Sequence, residues 1–118
     1  MKKTMMIGTN PLLSIFENQA LFQKKITGLI LPQDSLQWYT YHMLAMQEEM
    51  GEVLKSDKRW KTHRNERFCP EEKLEEMADV FITAINIALF SGFSHEDIAN
   101  AVLKKIDENF EKLERSKK

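Results

Sequence analysis

Four carboxylates stand as two pairs in this 118-residue chain, Glu49 with Glu52 and Glu76 with Asp79. Within each pair the spacing is three residues, nearly one helical turn, which leaves the side chains about 60° apart in projection and roughly 4.5 Å apart along the axis. Two such pairs on facing helices make one cluster of four acids. Left bare, these groups repel and raise one another's pKa, so the cluster makes sense with cations or with opposing basic side chains. Magnesium fits best, with manganese as a substitute, because a hard ion shared among carboxylates, waters and phosphates keeps positions free for a phosphorylated substrate. Spacing alone favours a plainer reading, in which the four are surface acids paired with lysines.

Other chemistries fail on the same residues. A di-iron bundle needs Glu-x-x-His motifs, yet the residues three before His42, His63 and His95 are Tyr39, Trp60 and Gly92. Each histidine is read as a surface or satisfied structural residue. No Gly-rich phosphate loop is present. Cys69 is the sole cysteine, which rules out an intrachain disulfide or a cysteine-cluster metal site and makes a reducing cytoplasm the expected compartment. Formal charge is −1, so neither nucleic acid nor an anionic membrane is an expected partner. No apolar run reaches the roughly 20 residues that cross a bilayer, and the start, broken by Gly8, Asn10 and Pro11, does not read as a signal peptide.

The elements that must position the acids are helices. With 42% hydrophobic and 30% charged residues, the composition is that of a globular chain, expected here as one all-α domain over 1–118 with residues 1–9 loose. Stop and start signals mark four helices with no strand pattern between them. The first runs from Pro11 to about Thr27 with Gly28 as terminator, and Leu12, Ile15, Phe16, Leu21 and Phe22 give it an apolar side. The second follows Asp34, with Gln37 three residues on as a weak capping box, and reaches about Lys55. The third opens at Pro70 and ends before Gly92; the fourth is capped by Ser94 with Asp97 and continues to about Glu114. The segment 57–69 is a loop and the one locally basic stretch. The expected architecture is a four-helix bundle, as a homodimer or homotetramer, since so short a chain gains burial by association.

Periodicity assigns faces. Tyr39, Met43, Met46, Met50 and Val53 form a stripe expected to face a partner helix, with Glu49 and Glu52 beside it and Glu48 pointing to solvent. On the third helix Leu74, Ala78, Phe81, Ile85, Ala88 and Leu89 make an apolar stripe, and apolar residues on most other sides predict that the second half is buried nearly all round. Glu76, Asp79, Thr83 and Asn86 repeat at three, four and three residues as one polar lane running into that buried stretch, where it needs partners.

Taken together, Glu49-Met50-Gly51-Glu52, Glu76-Met77-Ala78-Asp79, the Trp60-Lys61 pair after the second helix and Lys105-Ile106-Asp107-Glu108-Asn109 near the end resemble the signature of the MazG-like, all-α nucleoside triphosphate pyrophosphohydrolases, over about residues 36–113. The resemblance implies metal binding by Glu49, Glu52, Glu76 and Asp79, and phosphate or sugar contacts from Lys105 and Asn109. Trp60 is a candidate to stack on the base, Trp38 is read as packing, and Lys61, Arg64 and Arg67 could meet the triphosphate; Asn86, at the end of the polar lane, completes the candidate substrate contacts.

The implied reaction is magnesium-dependent cleavage of a nucleoside triphosphate between the α and β phosphates, giving the monophosphate and pyrophosphate, with Glu49 as first choice of catalytic base. Members similar to the dCTP-preferring branch have arginines directly after the asparagine and an aromatic four residues beyond the motif's aspartate. Here stand Phe110, Glu111 and Lys112, and Thr83. A narrower dUTPase or dCTPase of the same fold is the nearest alternative, and a helical binding or regulatory module the alternative outside enzymes.

Overall fold

The computed structural model describes residues 10–61, 63 and 67–117. Four α-helices account for most of them: α1 (Pro11–Thr27), α2 (Leu36–Ser56), α3 (Pro70–Ser91) and α4 (His95–Ser116), with a single 3-10 turn at Lys58–Trp60. The all-α class read from the sequence is what these residues adopt. Arg64 and the segment 1–9 lie outside the described residues.

Helix ends are set locally. The Asn10 side chain accepts from the Leu13 amide and Pro11 supplies the first turn of α1, while Gly28, at φ 70°, closes it by donating to the Lys24 carbonyl. Gly92, at φ 87°, ends α3 in the same left-handed conformation, which a side chain rarely adopts. The capping box of α4 is formed in both directions: Ser94 Oγ accepts from the Asp97 amide at 3.0 Å, and Asp97 Oδ2 accepts from the Ser94 amide at 2.9 Å. At α2 the cap is Ser35 rather than Asp34. Its hydroxyl accepts from the Trp38 amide at 3.2 Å, so the helix starts one residue later than the Asp34–Gln37 signal suggested.

Helices α2 and α3 form the main packed pair, with α1 lying mostly across the second half of α3. The link 28–35 is tied to this end, where the Gln33 amide donates to the Phe90 carbonyl at 3.0 Å. Trp38, His42 and Phe90 pack ring against ring there, with centroid separations of 4.8 Å for Trp38–Phe90 and 4.6 Å for His42–Phe90. Helix α4 turns away from α3 by 116° and finds its main contact on α1, including an edge-on approach of Phe16 to His95. Among the described residues no single helix is long and apolar enough to cross a bilayer.

The faces differ from the expected ones. Among the described residues the buried hydrophobic side chains are Phe16, Ala88 and Phe90, and the buried polar ones are Gln23, His42, Thr83 and Asn86. On α2 His42 is buried and Trp38, Met43, Ala45, Met46, Glu49, Glu52 and Val53 are half-buried, whereas Tyr39 and Met50, both assigned to the apolar seam, are exposed. Met43, Met46 and Val53 of the seam are covered, beside Glu49 and Glu52, and Tyr39 and Met50 stand at its outer side. On α3 residues 85–91 are buried or half-buried, but Leu74 stands 69% exposed and, within the half expected to be covered nearly all round, Phe81, Ile82 and Ala84 are exposed as well. The polar lanes of α2 and α3 face each other, and much of the apolar surface faces out.

Candidate metal and phosphate site

The inward lanes bring carboxylates together at the open end of the α2–α3 pair. Glu49 from α2 and Glu76 and Asp79 from α3 each offer an oxygen, and the three oxygens lie within 4.8 Å of one another. Glu49 and Glu76 are half-buried, and Asp79 is exposed. Partial burial, and then the negative charges of Asp79, Glu48, Glu76 and Glu52, push the Glu49 carboxyl above its ordinary value. The surroundings oppose the ionisation of Glu49, and a bound cation would reverse that opposition.

The fourth predicted ligand, Glu52, is placed differently. It lies one turn beyond Glu49 and is turned toward Lys55, at 3.7 Å in a solvent-exposed pair. Such pairs are worth about 0–1 kcal/mol, so Lys55 holds Glu52 only weakly. Glu48 is exposed, as expected of the control position.

The donor set fits a hard divalent ion. Oxygens held about 2.0–2.1 Å from magnesium, or 2.3–2.6 Å from calcium, must approach one another to within about 3–5 Å around the ion, close to the observed spread, and the half-exposed carboxylates have room to adjust. Neither histidine nor cysteine belongs to the cluster, which disfavours zinc and other metals that favour softer ligands.

Farther into the lane the polar groups are satisfied within the protein. Gln19 Nε2 of α1 donates to Asn86 Oδ1 at 2.9 Å, and Thr83 Oγ1 donates to the Val80 carbonyl at 2.7 Å. Asn86, a predicted substrate contact, is buried and engaged with α1. His42 is 2% exposed, its Nε2 has no hydrogen-bond partner among the described residues, and burial lowers its pKa.

Next to the acids lies a cationic assembly organised by Asp57. Arg59 donates to both of its carboxylate oxygens, each at 2.8 Å, and Lys73 Nζ donates to Oδ2 at 2.9 Å. These partners hold the Asp57 carboxyl well below the usual carboxylate range. The Arg59 guanidinium also covers the Phe68 ring at 3.5 Å from its centroid. The network ties the end of α2 to the first turn of α3, one turn before Glu76. Asp57 stands at the start of the basic segment 57–69, and no local pattern marks its link to Lys73, which spans 16 residues.

An open cleft of about 420 Å³ lies between α1 and the 28–35 link, lined mainly by apolar groups. A second, of about 410 Å³, is lined by Lys55, Ser56, Lys58, Arg67, Phe68, Cys69 and Glu72. It opens at the same end of the helix pair as the acids, since Ser56 follows Glu52 by one turn and Glu72 precedes Glu76 by one. Three cations on its wall suit an anionic ligand. Lys55 and Lys58 were not among the predicted contacts, and nothing in their spacing singled them out. Trp60 is 56% exposed with Lys61 Nζ 5.3 Å from its ring centroid.

Lys105 and Asn109 are exposed on α4, where Lys105 pairs with Glu108 at 3.6 Å. Helical rise and the 116° turn between α3 and α4 put their backbone about 20 Å from Glu76 and Asp79 in the same chain. A single chain does not bring them to the acids. No protein-family model, curated protein or solved structure matches the chain.

Proposed function

We propose that this chain is a divalent-cation-dependent nucleoside triphosphate pyrophosphohydrolase of the MazG-like, all-α kind. One observation carries the reading: carboxylate oxygens of Glu49, Glu76 and Asp79, from two facing helices, converge within 4.8 Å. A cleft with three basic side chains opens at the same end of the pair.

Glu49, Glu76 and Asp79 would hold magnesium, with Glu52 able to join by leaving Lys55. The chemistry such an ion supplies when bound is neutralisation of phosphate charge and a lowered pKa for water. Lys55, Lys58 and Arg67 draw in the triphosphate and hold its outer phosphates. Trp60, exposed beside Lys61, offers a flat face to the base. Glu49 takes the proton of the attacking water at a carboxylate oxygen left free by the ion. Water attacks the α phosphorus, the bond from that phosphorus to the bridging oxygen breaks, and pyrophosphate leaves. Lys105 and Asn109, exposed on α4, would contact the phosphates or sugar, as the family resemblance implies.

The test is a panel of ribo- and deoxynucleoside triphosphates, canonical and oxidised, incubated with protein and magnesium while pyrophosphate is measured. Pyrophosphate and monophosphate in equal amounts, lost with EDTA, support the proposal. Preference for dUTP or dCTP alone narrows it to the dUTPase or dCTPase alternative. Absence of turnover across the panel, with either magnesium or manganese, refutes it and leaves the helical binding module.

A further inference from the structure

We infer that Asp57 is a positioning residue for the metal site: by engaging the Lys73 ammonium it keeps that ammonium off Glu76 and leaves the acids open to a divalent ion. The inference rests on the proposed metal binding by Glu49, Glu76 and Asp79.

Lys73 is the one lysine or arginine among the buried and half-buried residues of α2 and α3. It shares the inward face of α3 with Glu76, Val80 and Thr83, at steps of three, four and three residues. A lysine at that spacing ordinarily pairs with the acid one turn on. Lys105 stands three residues before Glu108, as Lys73 stands before Glu76, and it does pair, at 3.6 Å. Lys73 does not follow this pattern. Its Nζ donates across the helix pair to Asp57 Oδ2 at 2.9 Å, and among the described residues Glu49, Glu76 and Asp79 form no ion pair.

Carboxylates brought together need either a cation or a basic side chain, and Lys73 is the basic side chain one turn away. An ammonium on Glu76 would cancel the charge that attracts the ion and block an oxygen that binds it. The Asp57 carboxylate is fixed where it prevents this. Its side chain is 11% exposed at the end of α2, and it accepts from Arg59 Nε and Nη2, each at 2.8 Å, and from the Arg59 amide at 3.2 Å. Phe68 gives Lys73 a second hold on the same side: Nζ lies 5.5 Å from the centroid of the ring that Arg59 also covers. Helix backbones thus bring the acids together, and Asp57 keeps the nearest competing cation away from them.

Manganese titration followed by electron paramagnetic resonance, with far-UV circular dichroism on every variant, tests the inference without any measurement of turnover. Asp57→Asn should weaken uptake at least about threefold while helicity is retained. Adding Lys73→Met to it should restore uptake to within about twofold of the wild type, because the competitor is gone. Asp57→Asn with Arg59→Gln has the same net charge as that double variant but keeps Lys73, and it should stay weak. Uptake unchanged by Asp57→Asn overturns the inference, and so does rescue by Arg59→Gln as complete as by Lys73→Met, which would reduce the effect to net charge. If Asp57→Asn loses helicity, Lys73→Met alone decides: uptake within about twofold of the wild type supports the inference, and tightening beyond about threefold overturns it, since Lys73 would then compete even with Asp57 in place. No uptake by the wild type removes the metal reading and the inference together, whereas wild-type uptake that Asp57→Asn leaves intact removes the inference only.

Discussion

Helices α2 and α3 bury polar side chains along their packed faces, whereas α4 carries a long apolar stripe that nothing among the described residues covers. In the first region His42, Glu49, Glu76, Thr83 and Asn86 occupy the inner faces; in the second Val102, Ile106 and Phe110 face out. The difference teaches that the helix pair is organised around its polar lane. Its stability comes from the aromatic cluster at one end and from whatever closes over the outer faces, and the acids occupy the other end, where the pair is open.

The largest effect is expected where the pair depends on apolar packing. Phe90→Ala removes the ring that both Trp38 and His42 pack on and should cost about 3–5 kcal/mol, read from urea unfolding at fixed protein concentration. A loss below about 1 kcal/mol would mean that the aromatic end does not hold the pair together. Asn86→Leu should cost about 1–3 kcal/mol, because the Gln19 amide loses its acceptor in a part-buried setting. If that variant is as stable as the wild type, the inner lane is not a satisfied polar network.

His42 gives a smaller effect with a defined pH window. Its folded-state pKa lies below the ordinary 6.5, so the unfolded chain takes up the proton first. Stability is therefore fully present above about pH 6.5 and falls as pH drops from there toward the lowered folded value. His42→Phe should retain stability at pH 7.5 and flatten that fall, measured as thermal midpoints between pH 5 and 8. Asp57 has the matching sign for a lowered carboxylate: its contribution is present above the ordinary carboxylate range and lost in stronger acid. The smallest effect belongs to Glu48→Gln, which should leave pyrophosphate release within about twofold, while Glu49→Gln and Asp79→Asn abolish it without loss of helicity.

What was legible in the sequence follows from the range of the interactions. Pro11, Gly28, Pro70, Gly92 and the Ser94–Asp97 box act within a few residues, and the helix ends they mark agree with the structure to within about two residues. The all-α class follows from them. The candidate acids were legible because each pair shares a helix face and because Glu76, Asp79, Thr83 and Asn86 form one lane. The inward face of α2 was legible in part: Met43, Met46 and Val53 are covered with Glu49 and Glu52 beside them, but the exposure of Tyr39 and Met50 is decided by tertiary packing. The same holds for Leu74 and Phe81, read as core yet facing out in a single chain. Asp57 with Lys73 and the buried ring of His42 depend on contacts across helices, which no local pattern encodes. The departure of α4 from the bundle is likewise a property of packing, and it separates Lys105 and Asn109 from the acids.

The central claim is that Glu49, Glu76 and Asp79 share one divalent ion. Titration of the protein with manganese, followed by the electron paramagnetic resonance signal of the free ion, measures this directly. Wild-type protein and Glu48→Gln should take up manganese at millimolar or lower concentration, and Glu49→Gln and Asp79→Asn should weaken uptake by at least about tenfold. Equal uptake by all four proteins, or none by any, would contradict the account.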